Sequence, residues 1–307
     1  MTGILSPSVG RRYPLASVCR LWGLSRATLY RRRFATAANE PHPPRRRGPE
    51  GAASDADLLA AIRGVIEASP FIGEGYRKIW ARLRFRGVRT AARRVRRIMK
   101  EHGLLAPHRP APQAAHSHDG TIVTERVDQV WGTDMTETIT TAEGRAYVFV
   151  AVDHCSGEFV GIHAASGASR WEALEPVRQG VEKHFGALGR AGVATGLSLR
   201  HDHGSNYMSG DFQREIRFLG MTSSPAFVRQ PEGNGVAERA IRTLKEQLLW
   251  VRHFATVEEL QLALAAFAAL YNANWLRERH GHKTTDQIRA GQSGLETEAA
   301  TGFKMAA

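Results

Sequence analysis

Three acidic side chains stand where carboxylates can act together on phosphate chemistry. Asp134 lies inside the strand-prone run Gln129-Val130-Trp131-Gly132-Thr133-Asp134-Met135-Thr136. Asp202 ends the run Leu197-Ser198-Leu199-Arg200-His201-Asp202, and Glu238 falls in the first turns of a helix predicted over 235–250. Thirty-five residues separate Asp202 from Glu238. Carboxylates are the natural ligands of a hard divalent cation such as magnesium. Three of them can hold two ions about 4 Å apart, one activating water or a 3′-hydroxyl, the other stabilising the leaving oxygen of an in-line phosphodiester displacement. Arg242 and Lys245 follow Glu238 by four and seven residues and so share its helix face. There they can offset repulsion among the acids and hold a phosphate. Taken singly, each acid reads equally as a turn cap, and Arg242 as a solvated helix charge. His201 and His203 flank Asp202 and, in a strand, point to the opposite face, which fits a supporting role better than metal ligation.

The elements that must position these residues can be read from periodicity. Strands are predicted over 129–136, 145–152 and 158–164, close enough together for an antiparallel meander, with Asp153 capping a hairpin. A helix over 169–185, a strand over 197–202, a helix over 210–219, a short strand over 221–223 and helices over 235–250 and 257–272 follow. That order, β-β-β-α-β-α-β-α, is a mixed α/β layer fold. Gly204 suits a sharp turn after Asp202, and Gly233 and Gly235 suit a mobile loop beside the site.

The N-terminal part is of another kind. The chain of 307 residues carries a net charge of +12, unevenly spread. Residues 1–119 hold 23 Lys and Arg against 8 Asp and Glu, a balance of +15; residues 120–307 hold 19 against 22, a balance of −3. A basic arm on a near-neutral body points to a polyanion, nucleic acid before membrane. Leu15, Val18, Leu21 and Trp22 fall on one face of a short helix, Gly23 turns the chain, and Ser25 can cap a second helix. This is a helix-turn-helix pattern in which Arg26, Thr28 and Arg31 would meet bases or phosphates. Pro41, Pro43, Pro44 and Pro49, with Arg45-Arg46-Arg47 among them, mark a linker. A second helix-turn-helix is predicted beyond it. Ser54 caps its first helix, 75–84 forms an amphipathic second, and Thr90 caps a third over 91–102 that Gly103 ends. That last helix carries Arg93, Arg94, Arg96, Arg97 and Lys100; like charges at helical spacing repel, which a phosphate-rich partner would relieve.

The resulting expectation is a helix-turn-helix segment over 1–38, a Pro/Arg linker over 39–53, and a second helix-turn-helix domain over 54–109. A linker over 110–121, a catalytic core over 122–290 and a tail over 291–307 complete it. Cys19 and Cys155 form no metal-binding pair and read as packed free thiols. The composition and the lack of a long apolar span place the chain in the cytoplasm, associated with the nucleoid and without a membrane partner.

Three segments carry a family resemblance: Val130-Trp131-Gly132-Thr133-Asp134; His201-Asp202-His203-Gly204-Ser205-Asn206-Tyr207; and Gly233-Asn234-Gly235-Val236-Ala237-Glu238 with Leu244-Lys245. They resemble the orfB-type DDE transposases of bacterial insertion sequences, whose catalytic core is retroviral-integrase-like. Gly75-Tyr76-Arg77-Lys78-Ile79 and the stretch 97–105 look like the same family's upstream helix-turn-helix segment. The resemblance implies a ribonuclease-H-like fold, a mixed five-stranded sheet flanked by helices. It implies that Asp134, Asp202 and Glu238 are the catalytic metal ligands for two Mg2+ or Mn2+ ions, and that Lys245 contacts DNA near the scissile bond. It further implies binding to the element's terminal repeats, nicking there and transfer of the 3′-hydroxyl to target DNA. The expected partners are double-stranded DNA, further copies of the chain on paired ends, and in some relatives a fused upstream-frame product. Unlike retroviral integrases the chain has no zinc-binding His/Cys module. A DNA-binding repressor or inactive remnant, and a nuclease that cuts without joining, are the alternative readings. Two DNA-reading units argue against the nuclease. Binding through the basic arm should weaken steeply with salt, because phosphate contacts release counterions.

Overall fold

The apolar run at 146–152 becomes the middle of a sheet. Ala146, Val148, Val150 and Val152 enter one hydrophobic cluster and Phe149 and Ala151 the opposite one, so this strand is buried on both faces. In the computed structural model, which describes residues 5–37, 53–107, 124–226 and 234–292, it is β2 (Gly144–Asp153). Its companions are β1 (Val130–Thr140), β3 (Phe159–Ala165), β4 (Ser198–His201) and β5 (Thr222–Pro225). The sheet order is β3-β2-β1-β4-β5. The first three strands form the antiparallel meander that the sequence predicts, and β4 and β5 add in parallel.

Helices run in chain order as α1 (Leu15–Leu21), α2 (Arg26–Ala37), α3 (Asp55–Glu67), α4 (Tyr76–Phe85), α5 (Ala92–Glu101), α6 (Arg170–Phe185), α7 (Ser205–Met208), α8 (Gly210–Phe218), α9 (Gly235–Leu244) and α10 (Val257–Asn274). Leu174, Val177 and Val181 of α6 and Phe212 and Ile216 of α8 pack on one face of the sheet. Ile241 and Leu244 of α9 and Leu260, Leu264 and Phe267 of α10 pack on the other. The result is a mixed five-stranded sheet between two helical layers, the ribonuclease-H-like arrangement. The chain divides into two units, residues 1–52 and 53–307. The predicted linkers fall largely on 38–52 and 108–123, and the tail largely on 293–307, outside the described residues.

An edge strand exposes backbone donors and acceptors that must be satisfied. Along β3 side-chain amides of the flanking helices do this. Ile162 N–H donates to Gln179 Oε1 at 3.0 Å and Ala164 N–H to Gln261 Oε1 at 2.6 Å. Asn272 closes a reciprocal pair on Phe159, accepting from its N–H at 3.0 Å and donating to its carbonyl at 2.9 Å. The strand lies so close to α6 that a Cβ at Gly161 would run into the carbonyl of Pro176, which is backbone and cannot yield. Gly161→Ala is therefore expected to destabilise the core by roughly 2–3 kcal/mol. A urea midpoint equal to wild type would show that the layers can separate without loss.

Residues 55–101 form a helical cluster with its own core of Leu58, Ile62, Val65, Ile79, Leu83, Val95, Ile98 and Met99. Ser54 and Asp57 complete a capping box on α3. Thr90 does not cap α5. The N-cap is Ala91 without a side-chain bond, and Thr90 instead gives its carbonyl to Trp80 Nε1 at 2.8 Å. Repulsion along α5 is relieved partly from within, because Asp55 accepts from both Arg94 and Arg97 at 2.6 Å.

In the first unit Ser25 caps α2, accepting from Thr28 N–H at 3.1 Å. The predicted apolar face of α1 is not buried as a whole. Cys19 is buried and Leu15 and Val18 half-buried, but Leu21 is 86% and Trp22 59% exposed. Two short helices have too little surface to enclose a core of their own.

The helix predicted over 235–250 also differs. It is α-helical to Leu244, and Lys245–Leu249 then forms a π-helical turn. Leu244 and Leu249 are both buried although five residues apart, a spacing that an i to i+5 turn brings onto one side.

Candidate active site

The register of β1 on β4 brings the first two acids together. Val130 pairs with Ser198 and Gly132 with Arg200, a constant offset of 68 residues, and the same offset carried two residues past the last pair puts Asp134 opposite Asp202. Neighbouring strands lie about 4.8 Å apart, so the two carboxylates share one face at the carboxyl end of the parallel pair. Glu238 stands in the first turn of α9, where the helix dipole favours an acid. Ala237, Ala240, Ile241 and Leu244 bury the other side of that helix.

The electrostatics of Asp134 record this convergence. Burial pushes its carboxyl up to about 6, and the like charges of Asp202 and Glu238 add to the rise. The Met135 N–H, 2.8 Å from Oδ1, and the ammonium of Lys245 act against it. The charge of Lys245 therefore acts on the Asp134 carboxyl, although the α-helical spacing ends one residue before it. Asp202 and Glu238 are exposed. Among the described residues no three His, Cys, Asp or Glu side chains are gathered closely enough to enclose a metal ion. The donor set is nevertheless all oxygen, as a hard divalent cation requires, and the raised Asp134 carboxyl is a group that a nearby cation would return to its ionised form. By donor chemistry the three residues fit such an ion.

Around the acids lies a buried support that the sequence showed only in part. Gly204 has an ordinary φ of −57°, so it is not there to allow a left-handed turn. It is there for space: its N–H donates to Asp202 Oδ1 at 2.7 Å, and a Cβ would crowd that oxygen at 2.8 Å. His201 is buried, bonded through Nδ1 to the Asp202 carbonyl at 2.7 Å and through Nε2 to Ser223 Oγ at 2.9 Å. It is structural, and His203 is exposed. Tyr207 stacks on His201, its phenol pushed up by burial and then by the charge of Asp134.

Asn234, which precedes α9, spends no bond on capping its own helix; its Nδ2 donates to the Thr133 carbonyl at 3.0 Å. This buried bond ties the start of the Glu238 helix to the residue before Asp134. Gly132 makes room for it, since a Cβ there would stand 2.8 Å from both Asn234 Oδ1 and His154 Nε2. The only sequence signal was an amide between two glycines. Asn234→Ala is expected to cost about 1–2 kcal/mol in urea melts; an unchanged midpoint would show the bond to be dispensable. Gly233 lies outside the described residues, and Gly235 is the first residue of α9.

The residues expected to touch DNA are spread over three places. Arg26 and Arg31 are exposed on α2, where the Thr28 hydroxyl bonds Ser25 at 2.8 Å. Arg93 and Lys100 are exposed on α5, whereas Arg94 and Arg97 are engaged by Asp55. Arg242 is exposed beside Lys245.

Residues 53–112 match the HTH-like domain family, and residues 124–231 and 219–284 match two descriptions of the integrase core domain. Over most of its described length the chain is thus similar to an HTH-like domain followed by an integrase core domain. It is also similar to the InsD transposases of the IS2 insertion elements of Escherichia coli. It is 31% identical to them over 202 residues, which is 64% of this chain and 65% of the relative. The copy of IS2 on the F plasmid gives the same figures. The match spans just under two thirds of the length of these relatives. Among solved structures, a chain of the simian T-cell lymphotropic virus intasome aligns with TM-score 0.44 and 19% identity over 77% of this chain and 74% of that one. The BIV integrase catalytic core aligns with TM-score 0.36 and 22% identity over 55% and 99%. The HTLV-2 integrase catalytic core, solved with magnesium, aligns with TM-score 0.37 and 20% identity over 53% and 97%. No helix among the described residues is long and apolar enough to cross a membrane.

Proposed function

We propose that the chain is an insertion-sequence transposase that binds the terminal repeats of its element, nicks the DNA at those ends and joins the freed 3′-hydroxyl to target DNA. The observation that carries this reading is the parallel register of β1 on β4, which runs towards Asp134 and Asp202, together with the charges of Asp202, Glu238 and Lys245 all acting on the Asp134 carboxyl. Asp134, Asp202 and Glu238 would hold Mg2+ or Mn2+, two ions to a site. When bound, the ions supply charge stabilisation at the attacking and leaving oxygens of an in-line displacement. Lys245 holds the phosphate beside the scissile bond, with Arg242 on the flanking DNA. Asn234 and Tyr207 keep the three acids in place. The exposed Arg93 and Lys100 of α5, with Arg94 and Arg97 at its flank, and Arg26, Thr28 and Arg31 of α2 bind the element end. The similarity to the InsD transposases supports the choice of substrate. The intasome likeness concerns another protein, so assembly of several copies on paired ends is part of the proposal, as is cytoplasmic action on the chromosome.

The test uses labelled DNA ends from the flanks of the gene, incubated with protein and magnesium beside a Glu238→Gln control. Nicked ends and joined products, both lost in the control, are expected. Tight binding without cleavage would favour the repressor or remnant reading, and cleavage that survives Glu238→Gln would overturn the site.

A further inference from the structure

The loop between α3 and α4 is clasped to the catalytic core at the π-helical turn that begins with Lys245. Gln247, in the middle of that turn, accepts from Ile72 N–H at 2.8 Å and donates to the Ile72 carbonyl at 2.9 Å. One side chain thereby satisfies both backbone groups of a residue 175 positions away. Beside it Phe71, 5% exposed, belongs to the same hydrophobic cluster as Ala240, Ile241, Leu244 and Leu249. Its ring meets Trp275 edge-on at 4.9 Å and Tyr271 at 6.4 Å. Lys78 of α4 lies over the Trp275 ring at 2.9 Å, and Arg82 of the same helix donates to the Asn274 carbonyl at 3.1 Å while it pairs with Glu74 at 2.7 Å.

These contacts fall on α9, the π turn and the end of α10, the layer that carries Glu238 and Lys245. A π turn is rare and is kept where surrounding contacts enforce it. The buried aromatic packing of Phe71 does not slide continuously and holds one arrangement; the paired Gln247 bonds lie at the surface beside it and fix the register of the loop on the turn. The HTH-like domain is therefore built against the same short segment that begins with Lys245, whose charge acts on Asp134.

We propose that Gln247 is a positioning residue: by gripping the Ile72 backbone it fixes the π turn, and with it Lys245, relative to the HTH-like domain, so that the place where α5 docks determines which phosphodiester meets the acids. The proposal deepens the transposase reading and rests on it for the nature of the cut. Gln247 touches no reacting atom. It acts through Lys245 and through the rigidity of the joint, and the distance from recognition to cleavage is then set by the protein.

The test is Gln247→Met in the full chain, which keeps the stem and the helix propensity and removes the amide. Hydrogen exchange at the Ile72 amide is expected to quicken by roughly tenfold or more. The rate at which Lys245 is acylated by an amine-selective reagent, read by mass spectrometry, is expected to change at least about threefold as its place beside Asp134 loosens. On labelled ends, affinity should stay within about twofold, because α5 is untouched, while cutting spreads over neighbouring phosphodiesters or slows by about tenfold. An Ile72 amide that exchanges no faster would overturn the proposal, as would a freed Ile72 with wild-type Lys245 reactivity or wild-type cutting. Exchange and acylation need no catalysis. A wild-type chain that cuts no end would thus defeat the transposase reading while these two measurements still decide the role of Gln247.

Discussion

Asparagine in place of Asp134 is expected to abolish strand cleavage while making the protein harder to unfold. The loss follows from removing one of three anionic oxygen donors, which under the proposed chemistry forfeits several kcal/mol of transition-state stabilisation, on the order of 10³-fold in rate or more. The gain follows from the Asp134 carboxyl, which burial and then the charges of Asp202 and Glu238 raise from 3.8 to about 6. A carboxyl whose folded pKa exceeds its unfolded value weakens the fold once it ionises. The penalty is absent below the unfolded value, grows as pH rises from 3.8, and is complete above about 6. Asp134→Asn should therefore add ~3 kcal/mol in urea melts at pH 7.5 and almost nothing at pH 4. Met135 N–H can still donate to the amide oxygen, so the local hydrogen bond within β1 is kept. Wild-type cleavage in this variant would remove Asp134 from the site. Lower stability at pH 7.5 would show that its environment is not the crowded, partly buried one described.

Arg289→Ala is expected to be the most damaging single change away from the acids. The guanidinium reaches Glu158 through Nε and Asp128 through both terminal nitrogens, at 2.6 and 2.9 Å. Glu158 is 1% exposed and also bonds Lys183 at 2.9 Å and His184 at 3.1 Å. Burial alone would raise the Glu158 carboxyl; the bond from His184, the charge of Arg289 and the bond from Lys183 outweigh it and hold it at about 2. Asp128 sits at φ 61°, a conformation uncommon outside glycine, and accepts from Trp131 Nε1 at 3.0 Å. The clamp thus seats the segment after α10 on the start of β1, six residues before Asp134. Taking one partner from a buried ionic network costs about 3–5 kcal/mol, or roughly 10 °C in Tm for a domain of this size. A carboxyl with a depressed pKa stabilises the fold above its unfolded value and loses that contribution as pH falls through its folded value. The difference between wild type and Arg289→Ala should then be full at pH 7.5 and shrink as pH falls from 4.5 towards 2. Equal midpoints at pH 7.5 would show that the clamp is decorative.

The order of strands and helices in the core was legible because each element obeys a simple period. The run 146–152 is apolar at every position since both faces of β2 are covered. The three acids stood out by residue type and position, and it is the family resemblance of the surrounding segments that singled them out as a set. What brings Asp134 and Asp202 level was not legible, because a parallel register joins strands 68 residues apart and leaves no trace in either segment. The π turn escaped for a related reason: a helical pattern tolerates one inserted residue, and only the burial of both Leu244 and Leu249 reveals it. The amides that seal β3, the Asn234 bond to Thr133 and the Gln247 grip on Ile72 are tertiary, made by residues whose type says only that they are polar. On α5 the charge count was correct, but a row of five cations does not show that Asp55, from another helix, engages two of them.

If Asp134, Asp202 and Glu238 together hold a divalent ion at the reacting phosphate, as proposed, activity must follow the match between ligand softness and metal at each of these positions. Asp202 is exposed, so a cysteine there should leave the fold intact. A thiolate is a poor ligand for Mg2+ and a better one for softer ions such as Mn2+ or Cd2+. Asp202→Cys is expected to leave labelled ends uncut in magnesium and to regain cleavage at the same phosphodiester when Mn2+ or Cd2+ is supplied, while Asp202→Ala stays inactive in every metal. Full cleavage by Asp202→Cys in magnesium, or a folded Asp202→Cys that no metal rescues and Asp202→Ala equals, would contradict the metal-ligand assignment.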